Sequence, residues 1–224
     1  MTPHTIIFDF DSTMVSVETL DLLADRALWN LPHKEQIQRE IISITDKAMA
    51  GEIPFGEALS LRLNVLPLTK RIIDETAQMI LATITPSFLR EAQFLKQHAD
   101  QIYIISGGFI ECIAPTVVAL GLNPSHVYAN TFDYEPTTGK ATLNTKNLLS
   151  QTQGKVKQLK ALKLPRPIHV IGDGYTDYEI VKEGEADEFY CFTEIVKRSA
   201  VLTHARHSVG SLSEYIDSIQ ERTP

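Results

Sequence analysis

Three short apolar runs constrain this chain more than any other feature: Thr5-Ile6-Ile7-Phe8, Ile102-Tyr103-Ile104-Ile105 and Ile168-His169-Val170-Ile171. Each is too short for a buried helix, is rich in β-branched residues, and stops at polar residues or glycine. A strand that is apolar on both sides has to be covered on both faces, as in the middle of a parallel sheet. Phe189-Tyr190-Cys191-Phe192 reads the same way. Between the runs the apolar period changes to three and four, with helices expected over 109–120, 154–163, about 175–183 and 212–220. This alternation predicts an α/β fold, a doubly wound and mostly parallel sheet of Rossmann-like type.

One block interrupts the alternation. Apolar residues recur at helical spacing after the first strand, as in Leu20, Leu23, Ala24, Ala27 and Leu28. Further helices are expected over 34–50, 55–65, 69–83 and 86–98, with breaks at Pro32, Gly51-Glu52-Ile53-Pro54, Pro67 and Pro86. Residues 16–83 are therefore read as a helical cap inserted after the first strand. The core is expected from 1–15 and 84–224. Residues 126–145 read as extended segments around a turn at Thr137-Thr138-Gly139-Lys140.

Composition narrows the partners. The chain has 224 residues and a formal net charge of −7, with no basic stripe of the kind nucleic-acid binders carry. No apolar stretch reaches the ~18 residues of a membrane span, and the first residues do not form a signal peptide. Cys112 and Cys191 lack metal-site spacing and read as reduced thiols, so a cytoplasmic location is expected. The seven histidines show no metal pattern. His204 and His207 have the spacing of one helix face but read as surface residues.

In open parallel sheets, ligands bind beyond the carboxyl ends of the strands. Asp9 and Asp11, Ser106, and Asp173 all fall at such ends. Two nearby carboxyls repel, so a cation beside them and a proton on one of them would satisfy both. That suits a nucleophile next to a general acid. Taken alone, the pair reads equally well as a strand end turning into water. Ser106 is followed by Gly107 and Gly108, which let a backbone approach an anion at the start of a helix. Asp173, a hard oxygen ligand, suits Mg²⁺. Gly172-Asp173-Gly174-Tyr175-Thr176-Asp177 is not a dinucleotide fingerprint, because Asp177 stands where the third glycine belongs.

These segments in order, Asp9-x-Asp11-Ser12-Thr13, Ser106-Gly107-Gly108, Lys155 and Gly172-Asp173-Gly174-Tyr175-Thr176-Asp177, resemble the four motifs of the haloacid dehalogenase superfamily. They span nearly the whole chain. The resemblance implies a magnesium-dependent phosphomonoester hydrolase in which Asp9 attacks phosphorus and Asp11 is the acid and base. It implies Mg²⁺ on the carboxylates of Asp9 and Asp173 and the backbone carbonyl of Asp11. Ser106, Gly107 and Lys155 would meet the phosphoryl group, and Asp177 would orient Lys155. Within the superfamily the chain is most similar to phosphoserine phosphatases. That similarity implies Glu18 on the substrate ammonium, Arg62 on its carboxylate, and Met49 and Phe55 shielding the pocket.

Thr176 and Tyr175 depart from the common pattern and leave the substrate open. A phosphatase for phosphocholine, phosphoethanolamine or a nucleotide would keep the four motifs, as would a phosphotransferase. A receiver-type signalling domain is a more distant alternative. It lacks a helical insertion, and its lysine follows the last strand, whereas Lys155 precedes the Asp173 strand.

Overall fold

In a computed structural model of the chain, residues 3–49 and 52–221 are described. The side chains of Met49 and Phe55, expected to shield the pocket, lie outside the described residues. The first strand is β1 (Thr5–Phe8), followed by α1 (Thr19–Ala27), α2 (Lys34–Met49), α3 (Phe55–Asn64) and α4 (Lys70–Ile80). Then come α5 (Pro86–Arg90), α6 (Ala92–Gln97), β2 (Ile102–Phe109), α7 (Ile110–Ala119), β3 (Val127–Asn130) and the hairpin β4 (Phe132–Tyr134) and β5 (Ala141–Leu143). The last part runs α8 (Gly154–Leu162), β6 (Ile168–Gly172), α9 (Tyr175–Lys182), β7 (Glu188–Phe192), α10 (Ser199–Leu202), β8 (His207–Val209) and α11 (Leu212–Gln220).

The main sheet has six strands in the order β3-β2-β1-β6-β7-β8, and every pairing in it is parallel. The expected doubly wound α/β sheet is therefore present. From β1 the chain builds outward through β2 and β3. It then returns to the other side of β1 with β6, which places a topological switch beside β1.

The strand sequences explain why both faces are covered. Ile6 and Phe8 of β1, Ile102 and Ile104 of β2, and Tyr190 and Phe192 of β7 point into one apolar cluster. Residues that alternate with them, Ile7, Ile105, Phe189 and Cys191, point into a second cluster with Val170 of β6. This is the period of two of a strand with a core on each side. Phe8 is fully buried and meets Phe88 edge-on at 5.1 Å between ring centres. Burying such a ring contributes about 1.5–3 kcal/mol.

The chain leaves the sheet after β1 and returns beside its own exit. Val15 and Ile84 form an isolated antiparallel bridge. Ser16 N–H donates to the Thr83 carbonyl at 2.8 Å, and Thr85 N–H donates to Met14 at 2.9 Å. α1 to α4 lie between these two crossings. Thr69 caps α4 by accepting from Ile72 N–H at 3.4 Å. Leu59, Leu63 and Leu66 join the cluster on the first face of the sheet.

Several boundaries differ from the sequence reading. The helix expected over 86–98 is two helices. It breaks at Glu91, which has φ −93° and ψ 22° and whose carboxylate accepts from Ser213 at 2.6 Å. β2 does not end at Ile105 but continues to Phe109. Ile105 pairs with Tyr128 and Phe109 with Asn130, so Ser106-Gly107-Gly108 bulges out of the ladder. His204 and His207 share no helix face. His207 begins β8 and lies 3.2 Å from Glu188, and His204 stacks on Tyr178. Among the described residues no helix is long and apolar enough to cross a membrane.

Candidate active site

The site grows from the turn that ends β1. Asp9 has extended backbone, φ −71° and ψ 164°, and its carboxylate accepts from Phe10 N–H at 2.7 Å. The chain then tightens over Phe10–Met14, with Ser12 in the left-handed region at φ 52°. A non-glycine residue held there is strained backbone, of the kind that collects at functional sites. The carboxyls of Asp9 and Asp11 line one cleft but have different partners. Asp9 Oδ1 lies 2.7 Å from Lys155 Nζ. Asp11 instead accepts a short hydrogen bond from the Thr19 hydroxyl at the start of α1.

Their electrostatics differ accordingly. Burial pushes the Asp11 carboxyl up to about 8, and the charges of Asp9 and Glu18 add to this, against the Thr19 hydrogen bond. Burial thus favours the neutral form of Asp11. Burial disfavours the charge on Lys155, but Asp177 and Asp9 outweigh it and hold its ammonium above the ordinary lysine value.

Lys155 reaches the site from the first turn of α8 and is 8% exposed, so its charge depends on its partners. Asp177 on α9 supplies one of them, 2.8 Å away. The other oxygen of Asp177 accepts from Gly174 N–H at 3.1 Å. This fit needs Gly172, because a Cβ there would lie 2.4 Å from the Asp177 carboxyl. Burial and the Asp9 charge push Asp177 up, while Lys155 pulls it down.

Ser106 lies in the bulge of β2, 1% exposed, and its Oγ accepts from Gly108 N–H at 3.0 Å. Asn130 on β3 steadies the bulge by donating to the Gly107 carbonyl at 2.9 Å. A Cβ on Gly107 would meet nothing within 4 Å, so this backbone faces open space.

Asp173 follows β6. Burial and the nearby Asp9 charge push its carboxyl up, opposed by Arg198, whose Nε donates to Oδ2 at 2.6 Å. Glu18 accepts from the Ser12 hydroxyl at 2.7 Å and lies 3.4 Å from the Arg198 guanidinium. Burial raises Glu18 as well, against the Ser12 hydrogen bond.

Asp9, Asp11, Glu18, Arg62, Ser106, Gly107 and Lys155 all line one cleft of about 310 Å³. Burial lowers the Arg62 guanidinium from its ordinary value, while Asp21 acts to raise it. One carboxylate oxygen each from Asp9, Asp173 and Asp177 falls within 4.8 Å of the others. The carboxyl of Asp11 is not in that cluster. Another cleft, about 430 Å³, lies beside α9 and is lined by Tyr178, Lys182, His204 and Arg206. Its acids are already engaged, Asp187 by Arg166 and Glu188 by His207.

Sequence reasoning missed Thr19 and Arg198. Thr19 starts α1 beside Glu18, in the segment Ser16-Val17-Glu18-Thr19-Leu20-Asp21 that resembles the family, but the resemblance implies a role there only for Glu18. Arg198 sits in an irregular stretch after β7 that has no periodicity to read.

A sequence profile described as haloacid dehalogenase-like hydrolase matches residues 6–182. The chain belongs to the haloacid dehalogenase-like hydrolase family. It is similar to the phosphoserine phosphatase of Drosophila melanogaster, 31% identical over 215 residues, with 93% of this chain and 75% of that protein covered. The chloroplastic phosphoserine phosphatase of Arabidopsis thaliana is 28% identical over 219 residues, covering 96% of this chain and 72% of the relative. A phosphoserine phosphohydrolase-like protein from Francisella tularensis has a similar crystal structure, with a TM-score of 0.80 at 28% identity, covering 96% of this chain and 99% of that one. Among the enzymes of its family, the chain is a phosphoric monoester hydrolase.

Proposed function

We propose that the chain is a magnesium-dependent phosphatase that works through an aspartyl-phosphate on Asp9, with O-phospho-L-serine as its substrate. The observation that carries this reading is the contrast at the end of β1. Asp9 Oδ1 is held by Lys155 at 2.7 Å, while Asp11, two residues on, accepts from the Thr19 hydroxyl and is pushed toward its neutral form by burial. A nucleophile and an acid are thereby set apart by environment.

The donor set supports a metal. Carboxylate oxygens of Asp9, Asp173 and Asp177 gather within 4.8 Å, and such hard ligands fit Mg²⁺. Asp177 is committed to Lys155 and Gly174 N–H, so Asp9, Asp173 and the backbone carbonyl of Asp11 are the proposed ligands. When bound, the ion supplies positive charge against the phosphoryl oxygens and Asp9.

A carboxylate oxygen of Asp9 attacks phosphorus as the bond to the ester oxygen breaks. Asp11 gives its proton to that departing oxygen, which leaves as the serine hydroxyl. The resulting Asp11 carboxylate then takes a proton from water, and the hydroxide formed attacks phosphorus. Phosphate departs and the Asp9 carboxylate is restored. Ser106 and Lys155 hold the phosphoryl oxygens, and Asp177 orients Lys155. Phosphoryl transfer depends mainly on such positioning and charge stabilisation.

Glu18 and Arg62 set the substrate. They line the same cleft as Asp9, and an anion plus a guanidinium matches a zwitterionic head. Helices over 16–83 would act as a cap, a role supported by the paired exit and return at Val15 and Ile84. A reducing, cytoplasmic setting fits the buried free thiols of Cys112 and Cys191.

A panel of phosphomonoesters with Mg²⁺, with and without chelator, tests the reading. O-phospho-L-serine should release phosphate faster than phosphocholine, phosphoethanolamine or a nucleotide, and chelator should stop it. Phosphoserine among the poorest substrates would refute the roles of Glu18 and Arg62.

A further inference from the structure

Arg198 belongs to none of the segments that identify the chemistry, yet it touches two of the carboxylates assigned to it. Its Nε donates to Asp173 Oδ2 at 2.6 Å, and its terminal nitrogen Nη2 lies 3.4 Å from Glu18 Oε1. Asp173 follows β6 and Glu18 precedes α1, so the two lie 155 residues apart in sequence. One guanidinium joins them.

The pattern of oxygens matters. Arg198 takes Oδ2 of Asp173, and no other hydrogen bond reaches that carboxylate among the described residues. On Glu18 it takes Oε1, the oxygen that Ser12 also uses. One oxygen of each carboxylate is therefore fixed and the other is left to a ligand. A planar fork suits this double grip, whereas a lysine ammonium is a single point charge. Residues that hydrogen-bond a metal-binding carboxylate orient it and tune its affinity.

We propose that Arg198 is a positioning residue that couples the metal site to the site for the substrate's ammonium group. It aims Asp173 at the cation and Glu18 at the amine. This inference rests on the function proposed above. It adds a residue through which the occupancy of one site is felt at the other.

The test compares wild type with Arg198→Ala and Arg198→Lys. Mg²⁺ binding is measured by calorimetry without substrate. Because Arg198 is 45% exposed, the expected loss is at the low end, about tenfold weaker Mg²⁺ binding in Arg198→Ala. At saturating Mg²⁺, KM for O-phospho-L-serine should rise several-fold more than KM for an aryl phosphate, which has no amine. Arg198→Lys should recover part of the Mg²⁺ affinity and little of the phosphoserine KM. A loss of packing alone would change both substrates alike and would not separate the two variants.

Unchanged or tighter Mg²⁺ binding in both variants would overturn the proposal and make Arg198 a bystander or a competitor of the cation. Equal KM changes for the two substrates would overturn the coupling to Glu18. A wild type that binds no Mg²⁺ would refute the proposed function itself, a result distinct from wild type and variants binding equally.

Discussion

Gly172→Ala tests how the site holds its lysine. The backbone at Gly172 is not in the left-handed region, so alanine is not excluded by its own conformation. The obstacle is Asp177. A Cβ at 172 would lie 2.4 Å from the Asp177 Cγ and Oδ2, where ordinary contact begins at 3.4 Å. The carboxyl must retreat by about 1 Å, and at 1% exposure it has no solvent to retreat into. Overpacking of this kind costs about 1–3 kcal/mol. The retreat also loosens the 2.8 Å bond to Lys155, and a hydrogen bond to a charged group contributes about 1.5–3 kcal/mol. Together the loss is about 4 kcal/mol, or roughly 10 °C in melting temperature for a chain of this size. Urea denaturation in chelator should measure it, alone and in an Asp177→Ala background. With the carboxyl gone the clash is gone, and the second substitution should then cost less than about 1 kcal/mol. An equal cost in both backgrounds, or a silent Gly172→Ala, would refute the reasoning.

Asp9→Asn should abolish turnover on every phosphomonoester, and near-normal phosphate release would sink the proposed nucleophile. Arg62→Ala should raise KM for phosphoserine about tenfold or more while sparing a generic aryl phosphate. Equal loss on both would argue against a carboxylate role. Asp11 makes a pH prediction: its carboxyl lies at about 8 in the folded protein against about 4 in the unfolded chain. Between those values the folded state binds the extra proton, so metal-free stability falls as pH rises, by at most about 1.4 kcal/mol per unit. Asp11→Asn should flatten that slope in urea titrations, and parallel slopes for variant and wild type would remove Asp11 from the account.

How much of this was legible depended on how local each signal is. Asp9, Ser106 and Asp173 could be placed because each follows an apolar run whose strand character is written in adjacent residues. The parallel sheet covered on both faces follows from the same runs, whereas the order β3-β2-β1-β6-β7-β8 is set by pairings that no local pattern shows. The bulge at Ser106-Gly107-Gly108 was not legible, because it exists only in the register between β2 and β3. β8 was missed since three residues at a sheet edge make no periodic pattern. At the break, Glu91 accepts from Ser213, far along the chain, a contact that no local pattern shows. Arg198 and Thr19 depend likewise on where distant segments come together, and no spacing rule joins Arg198 to Glu18.

Charge explains why so many acids can share one small region of an acidic protein. Lys155 lies between Asp9 and Asp177. Arg198 lies between Asp173 and Glu18. Each group is a cation flanked by two carboxylates. Burial pushes the Asp11 carboxyl up, which disfavours a further charge there. A divalent cation beside Asp9 and Asp173 would screen carboxylates of both groups, which ties the proposed Mg²⁺ to the whole arrangement rather than to its ligands alone. The balance also makes the residues interdependent. Removing Lys155 would leave Asp9 and Asp177 unscreened, and removing Arg198 would do the same for Asp173. Paired substitutions across the two groups should therefore deviate from additivity in chelator, and that deviation should shrink once Mg²⁺ is bound.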